Sequence, residues 1–333
     1  GAQLNAVGKG NPADAPPFAH GHGSNGGGHA SSGGIGNGQA LTSASEPYGT
    51  IYKPRTPGAP GGNGGNGGGF IYIVVDELLL DGILDASGNS SSVGGGGSGG
   101  SIYLICDDIL KGLGKIAASG GDASSSFAGG GSGGHIAVEM NKDFFLGKYI
   151  AAGGVSSAVY GKGGPGSIYI KTNTGLTKGE KLIIDNSNQQ KQFYTTLNEE
   201  VTDIEFDQVD IYDYAKFQVV KDGIPRKLNI KKVNGDGTGL LRMQTNQTGT
   251  LERVSSSTNS KLEINLELHD GGEFILSETT SILGKADTAL DLDGTMRGVI
   301  NLVLGSGRYM RMGSNARIVP FQETAMSSKA RVT

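Results

Sequence analysis

Residues 94–106 read GGGGSGGSIYLIC, a tract of glycine and serine that leads directly into an apolar run. The same order returns at residues 129–138, which read GGGSGGHIAV. Short alternating runs of β-branched, aromatic and aliphatic residues favour a β-strand over a helix. A glycine tract followed by a strand, repeated along a chain, is typical of β-rungs that stack on one another.

Four copies of this unit occupy the first half of the chain. Their strands are predicted to begin at Phe70, Ser101, His135 and Ser167. The steps are 31, 34 and 32 residues (101−70, 135−101 and 167−135), which is close to one fixed period. Because a fixed period lets each copy stack on the one before, the sequence predicts a parallel β-helix, or β-solenoid, over residues 70–186.

The glycine tracts are predicted to be ordered parts of this structure. Without a Cβ atom, glycine lets two backbones approach closely and accepts positive φ values. Stacked tracts can pack as extended, polyglycine-like layers, and the alternative is a set of mobile loops. We expect the layers. The glycines that form them are Gly94, Gly95, Gly96, Gly97, Gly129, Gly130 and Gly131.

Two other sections flank the repeats. Residues 1–69 are rich in glycine, histidine and proline but lack apolar strands, which predicts a wrap that delivers the chain to the first strand. After residue 186 glycine becomes rarer and charge rises, so residues 187–333 are predicted to form a second β-rich section. This section is either β-helix-like or a separate β-sandwich. The fold class predicted for the whole chain is all-β.

Composition narrows the classes of function. The chain has 60 glycines in 333 residues, no tryptophan and a formal net charge of −4. It therefore offers no basic patch for nucleic acid, and it lacks the run of about 18 apolar residues that a membrane helix needs. Its single cysteine, Cys106, lies in an apolar run, so we expect a buried thiol. The chain begins at Gly1 rather than methionine, as expected of a processed product or an excised or recombinant fragment.

The order of motifs resembles that of a known group of proteins. A His- and Gly-rich segment, the motif PYG at residues 47–49, the tract GGNGGNGGG and the two glycine–strand units follow one another within residues 1–185. This succession resembles the glycine-rich repeat region of large eukaryotic cell-surface and extracellular matrix proteins, and bacterial adhesins carry similar arrays. The resemblance implies a secreted or cell-surface location and a solenoid architecture, and it implies no particular chemistry.

Acidic residues and histidines supply the candidate metal sites. Asp203, Glu205 and Asp207 alternate along one predicted strand, so their carboxylates share a face at spacings of about 6–7 Å. Like charges at that spacing suit a hard cation such as Ca²⁺, and a solvated acidic face is the interpretation that we prefer. His20 and His22 are a candidate pair for a transition metal, with hydrogen-bonded packing as the alternative. No other cofactor is expected.

Two tripeptides are candidate sites of glycosylation. Residues 89–91 read NSS and residues 246–248 read NQT, and both fit the acceptor pattern N-x-S/T. Each lies in a polar, turn-like stretch where a glycan would face solvent. Together with the resemblance to surface proteins, this pattern predicts N-glycans at Asn89 and Asn246.

These features predict a structural extracellular protein that assembles by repeat stacking into a filament, matrix or surface scaffold. The alternative is an adhesin that binds glycan or mineral through its acidic and tyrosine-bearing faces, with other matrix components as partners. A third candidate is a polysaccharide-active β-helix enzyme with paired carboxylates as acid and base. The carboxylate groups considered are Asp107 with Asp108, Asp291 with Asp293, and Asp203 with Glu205 and Asp207. Since aspartates at strand edges also satisfy local backbone donors, we expect no catalytic residues and no enzyme.

Overall fold

The computed structural model describes residues 2–10, 19–175, 178–187, 193–219, 223–251, 259–276, 279–299 and 302–320. Within them the chain is nearly all β, and the one helical element is a single 3-10 turn, Leu41–Ser43. No helix in these residues is long and apolar enough to span a membrane. The chain forms two compact units, Gly1–Asn198 and Glu199–Thr333. The sections predicted as wrap and repeats therefore share the first unit.

Strands of successive repeats lie side by side in the first unit. Its strands are β1 (Gln3–Asn5), β2 (Phe70–Leu79), β3 (Ile83–Asp85), β4 (Ser101–Gly112), β5 (Lys115–Ala117), β6 (His135–Phe145), β7 (Lys148–Ile150), β8 (Ser167–Thr172), β9 (Gly179–Asp185) and β10 (Thr195–Leu197). The four long strands β2, β4, β6 and β8 begin at the four residues that the repeat predicts. They pair in parallel, and each first residue lies opposite the first residue of the next long strand.

The short strands form a second parallel set in the order β1, β3, β5, β7. Side chains from the long and the short strands meet in one apolar core, which includes Ile102, Leu104, Ile136, Leu84 and Ile116. The chain changes direction after β8, because β9 pairs with it antiparallel. The repeat that the sequence shows as degenerate is thus the place where the parallel stacking of this unit is interrupted.

The N-terminal wrap covers the outer face at the starts of β4, β6 and β8. For this reason the first four residues of β4 are all buried, although strand side chains alternate between two faces. The hydroxyl of Ser101 donates to the carbonyl oxygen of Thr56 at 2.6 Å. The rings of Tyr52 and Tyr169 meet edge to face with centroids 4.9 Å apart.

The glycine tracts form a bundle of extended segments joined by backbone hydrogen bonds. Successive amides of residues 95–100 donate to three different neighbouring segments in turn, and the same neighbour recurs at every third residue. A period of three residues is that of the polyproline II helix. The donor–acceptor pairs are Gly95 to Gly62, Gly96 to Gly129, Gly97 to Asn89, Ser98 to Ala59, Gly99 to Ser132 and Gly100 to Ala86.

The amides of the second tract, residues 129–134, show the same period of three residues. Its amides donate in rotation to residues 24–27 of the wrap, to residues 161–164 and to residues 118–121. Residues 59–62 of the wrap accept from the first tract in the same way, so the wrap supplies hydrogen-bond partners to both glycine tracts. All seven glycines named as layer-forming are buried.

Within the second unit, every described pair of neighbouring strands is parallel. Its strands are β11 (Asp203–Tyr212), β12 (Lys216–Val219), β13 (Arg226–Gly235), β14 (Leu240–Met243), β15 (Gln247–Leu251), β16 (Asn259–Leu262), β17 (Asn265–Leu268), β18 (Glu273–Leu276), β19 (Thr279–Ile282), β20 (Thr288–Leu292), β21 (Thr295–Val299), β22 (Leu302–Leu304), β23 (Tyr309–Met312) and β24 (Arg317–Pro320). Such pairing is typical of stacked rungs, whereas immunoglobulin-type sandwiches pair their strands antiparallel.

Polar and apolar residues alternate along these strands. In β11 the side chains of Ile204 and Phe206 are buried, and Asp203 and Glu205 between them are exposed. Residues that face inward stack on their counterparts in the next strand, as Phe274 of β18 does on Met296 of β21. The second unit therefore has a side-chain core, whereas the first unit has a glycine bundle in addition to its apolar core.

Candidate functional site

β2 is the most exposed of the four long strands of the first unit. Among the described residues it pairs with β4 on one side and with no strand on the other. Its outer face is apolar and solvent-exposed at Phe70, Tyr72, Val74 and Leu79. We call this strand, Phe70–Leu79, the β2 edge. A row of backbone donors and acceptors beside an apolar face is suited to binding another extended strand.

An aromatic row crosses the start of the β2 edge. The ring of Tyr72 stacks with that of Phe70 at a centroid distance of 6.1 Å and with that of Tyr103 at 5.4 Å. The guanidinium carbon of Arg55, from the wrap, lies 5.1 Å from the centre of the Tyr72 ring, within the range of a cation–π contact. The hydroxyl of Tyr103 donates to the carboxylate of Glu139 at 2.5 Å. Burial, followed by this contact with Glu139, raises the pKa of Tyr103.

A buried cluster of two histidines and a tyrosine lies where the wrap meets β6. The ring of His29 is 4.5 Å from that of Tyr48 and 4.7 Å from that of His135, measured between centroids. The hydroxyl of Tyr48 donates to the carbonyl oxygen of Pro57 at 2.5 Å. Gly49 has a φ of +86°, and a Cβ there would lie 3.0 Å from Nε2 of His135. The PYG motif thus supplies a ring to the cluster and a turn that leaves room for it.

The partners of each imidazole fix a neutral tautomer. Nδ1 of His29 lies 2.7 Å from the carbonyl oxygen of Gly99, so Nδ1 donates, and Nε2 accepts from the hydroxyl of Thr56 at 3.0 Å. Nε2 of His135 donates to the carbonyl oxygen of Tyr48 at 3.0 Å, and Nδ1 accepts from the Ser167 hydroxyl at 2.7 Å. Every ring nitrogen therefore has a partner while both rings are uncharged.

Burial lowers the pKa of both histidines. The pKa of His135 falls to about 4, and that of His29 falls well below its ordinary value because of burial and then because of the neighbouring His135. Sequence analysis did not identify this cluster. The repeat contains one signal for the cluster. His135 occupies the position at which two other copies have a serine, Ser101 and Ser167.

No protein-family model, curated protein or solved structure matches the chain. The arrangement of its own residues is therefore the basis for arguing function. The β2 edge is the surface with the clearest capacity to bind a partner, whereas the histidine cluster is enclosed.

Two of the three carboxylates proposed for Ca²⁺ have lysine partners. Asp203 and Asp207 lie in β11, and the ammonium groups of Lys227 and Lys231 in β13 approach them at 3.9 and 2.6 Å. Asp203 and Glu205 are on one exposed face, as expected of the alternation. The described residues contain no group of three or more His, Cys, Asp or Glu side chains placed to hold a metal ion. The structure thus gives the Ca²⁺ hypothesis no support, and neither His20 nor His22 joins such a group.

Asp291 and Asp293 border a small pocket in the second unit. The pocket has a volume of about 120 Å³ and is lined by Glu267, Leu268, His269, Asp291, Asp293 and Arg311. Asp291 accepts from Nε of Arg311 at 2.8 Å. Burial alone would raise the pKa of Glu267, but hydrogen bonds from His269 and Arg242 hold it below its ordinary value. A general acid needs a raised pKa, so Glu267 is unsuited to that role.

Asp107 and Asp108 are also engaged in contacts between strands. The ammonium group of Lys142 lies 2.8 Å from the carboxylate of Asp108. The side-chain amide of Asn141 donates to the backbone carbonyl of Asp107. Cys106, the residue before them, is buried as expected, and burial followed by the nearby Asp107 raises the pKa of its thiol to about 11. A protonated, enclosed thiol is a poor nucleophile.

The two asparagines predicted to carry glycans lie in different surroundings. Asn246 is exposed, with a φ of +63°, in the turn before β15. Asn89 is half-buried, and its backbone belongs to the glycine bundle through bonds with Asn66 and Gly97. Its side-chain amide lies so close to Gly8 that a Cβ on that glycine would overlap it. Of the two, Asn246 has the room that a glycan needs.

Proposed function

We propose that this chain is a structural protein whose copies assemble into an extracellular filament, matrix or surface scaffold. The observation that carries the proposal is the β2 edge, a ten-residue strand with one described neighbour and an apolar outer face. Such an edge is a template for pairing with another strand. In this proposal each unit is a β-solenoid, and the exposed strand is covered when molecules pair.

The distribution of charge along β2 supports pairing at its first half. Natural proteins protect exposed edges with charged side chains, prolines or bulges. Here the charges Asp76 and Glu77 and a register irregularity between Val75 and Glu77 occupy the second half of the strand. Residues 70–75 read FIYIVV and carry no such protection. This segment is therefore the part of the edge that we expect a partner strand to contact.

The construction of the first unit supports a mechanical role. Its glycine segments are joined in three directions by backbone hydrogen bonds, so a load on one segment is shared with several others. Lysine–carboxylate pairs such as Asp108 with Lys142 link neighbouring strands outside the core. A function that depends on rigidity needs this kind of cross-linking and does not need a catalytic centre.

The proposed location rests on the sequence. The ordered succession of glycine motifs resembles that of cell-surface and matrix proteins, and the exposed Asn246 stands in an acceptor tripeptide. Both features favour a secreted or surface-attached protein. Asn246 and the β2 edge belong to different units, so a glycan at Asn246 would be attached outside the strand that we expect to pair.

The test is the size of the protein in solution. Full-length protein is followed by sedimentation velocity over a range of micromolar concentrations, with electron microscopy of the same samples. We expect species larger than the monomer, and we expect Val74→Lys to reduce them because it puts a charge in the exposed edge. Val93→Lys is the matched control, since Val93 is exposed outside any strand. A single monomeric boundary for the unmodified chain at every concentration would overturn the proposal.

A second candidate function is binding of glycan by the aromatic row. Phe70 and Tyr72 are exposed aromatic side chains beside the cationic Arg55, a combination found where carbohydrate or other polar ligands stack. The chain has no tryptophan, so tyrosine fluorescence can report the site. Titration with oligosaccharides would change the emission of the unmodified chain and not that of Tyr72→Ala.

A further inference from the structure

The apolar core of the second unit ends in an uncovered side chain. Met243, Leu268, Leu292 and Met312 lie opposite one another in successive parallel strands β14, β17, β20 and β23. The first three are almost fully buried, but Met312 is 52% exposed. In β14, β17 and β20 the side chain of this row faces the core. β23 is the last strand of its sheet among the described residues, so no described strand covers Met312.

The first unit has a matching end at its N-terminal strands. Leu4 of β1 lies opposite Leu84 of β3, which in turn lies opposite Ile116 of β5. Leu84 and Ile116 are buried, whereas Leu4 is 50% exposed. We call β1 with the β2 edge the N-terminal end, and β23 with β24 the C-terminal end. Each end presents an inward-facing aliphatic side chain that is half exposed, on edge strands that pair with another described strand on one side only.

The two ends also differ in charge. Asp76 is an exposed acid on β2, and Arg317 is an exposed base at the start of β24. Neither side chain makes an ion pair with another described residue. Arg308 and Arg311, near β23, are already paired with Asp287 and Asp291, so Arg317 is the base that this end offers to a partner. The N-terminal end thus combines apolar side chains with the acid Asp76, and the C-terminal end combines them with the base Arg317.

We infer that the partner of the N-terminal end is the C-terminal end of a second copy of this chain. The inference rests on the proposed assembly and adds its polarity: contacts are head to tail, so each copy has one acceptor end and one donor end. In this contact the row that ends at Met312 is covered, the row that ends at Leu4 is covered, and Asp76 meets a basic strand. Heterologous contacts of this type extend into fibres or close into rings.

Contact between two N-terminal ends fits the observations less well. It would bring together two edges that each carry Asp76, which is unfavourable for like charges, and it would leave Arg317 without an acid. It would also leave Met312 of both copies exposed to water. Head-to-tail contact covers both half-exposed side chains at once and keeps the parallel pairing that the strands of the second unit share.

The test uses one blocking substitution at each end of the full-length chain. Leu4→Lys puts a charge in the row of the N-terminal end, and Met312→Lys does the same at the C-terminal end. Both positions are half exposed in the single molecule, so the fold should persist, as a thermal melt followed by circular dichroism would show. Leu113→Lys is the matched control, because Leu113 is 72% exposed in a turn.

Sedimentation then separates the possible polarities. We expect each blocked variant to be monomeric on its own, an equimolar mixture of the two to form dimers and nothing larger, and Leu113→Lys to assemble like the unmodified chain. If Met312→Lys alone still forms dimers and Leu4→Lys does not, the N-terminal ends pair with each other and the inference is wrong, while the proposed assembly stands. If the unmodified chain is monomeric, both fail together.

Discussion

A Cβ atom added at Gly96 would overlap the carbonyl oxygen of Gly121, and one added at Gly130 would overlap that of Gly154. Both obstacles are backbone atoms, which cannot turn aside as a flexible side chain can. At these two positions glycine is needed for the space around it, because neither has a positive φ. Close approach of backbones, rather than freedom of rotation, therefore explains why the tracts are built from glycine.

Replacing Gly96 or Gly130 by valine should destabilise the protein by about 3 kcal/mol or more, since overpacking of a filled interior costs on the order of 1–3 kcal/mol and here backbone must move. Chemical denaturation followed by circular dichroism measures the change. Gly305→Val is the control, because the nearest atom to a Cβ there is 3.5 Å away on the flexible side chain of Arg308. Equal stability of the three variants would show that the tracts are loosely packed.

The buried histidines make a prediction about acid. The folded pKa of His135, about 4, lies below the value of about 6.5 expected in the unfolded chain, so the unfolded state binds the proton more readily between these pH values. Stability is then fully present above pH 6.5 and decreases as the pH falls toward 4. The decrease from His135 is roughly 3 kcal/mol, since one pKa unit corresponds to about 1.4 kcal/mol, and His29 adds to it.

The measurement is a series of denaturation curves between pH 7 and 4. His135→Gln removes one titrating group and leaves the carboxylates in place, so it serves as the comparison. Its stability should be lower at pH 7 but should fall less steeply with acid than that of the unmodified chain. Parallel curves for the two proteins would mean that His135 does not contribute.

At the scale of elements, the glycine segments should behave as secondary structure. Amides of residues 95–100 and 129–134 donate to backbone carbonyls inside the bundle, and buried, bonded amides exchange only when the structure opens. Hydrogen exchange followed by mass spectrometry should find these segments as protected as β4 and β6. The exposed residues 37–42 of the wrap provide an internal reference that exchanges early. Exchange of the tracts within seconds would identify them as mobile loops.

The long strands of the repeats were predictable, whereas the hydrogen-bond partners of the wrap were not. The four long strands begin where the period places them, because in-register parallel pairing requires equivalent residues to lie opposite one another. The wrap has no comparable signal. Glycine segments have no side chains to show which neighbour each amide reaches, and the partners of residues 95–100 lie both before and after them in the chain. The alternation of acids in β11 was likewise visible, but the lysines of β13 that pair with them depend on register.

At the scale of the whole molecule, the ends decide how copies associate. The contact that we propose combines backbone pairing and covered aliphatic rows with one exposed ion pair, Asp76 with Arg317. Exposed pairs contribute about 0–1 kcal/mol, whereas backbone pairing and apolar contact are little affected by salt. Raising sodium chloride from about 0.05 to 0.5 M should therefore change the concentration needed for assembly by less than about fivefold, the factor that corresponds to 1 kcal/mol. Sedimentation equilibrium at the two salt concentrations measures this directly. Dissociation into monomers at the higher concentration would mean that charge, and not the two apolar ends, holds the copies together.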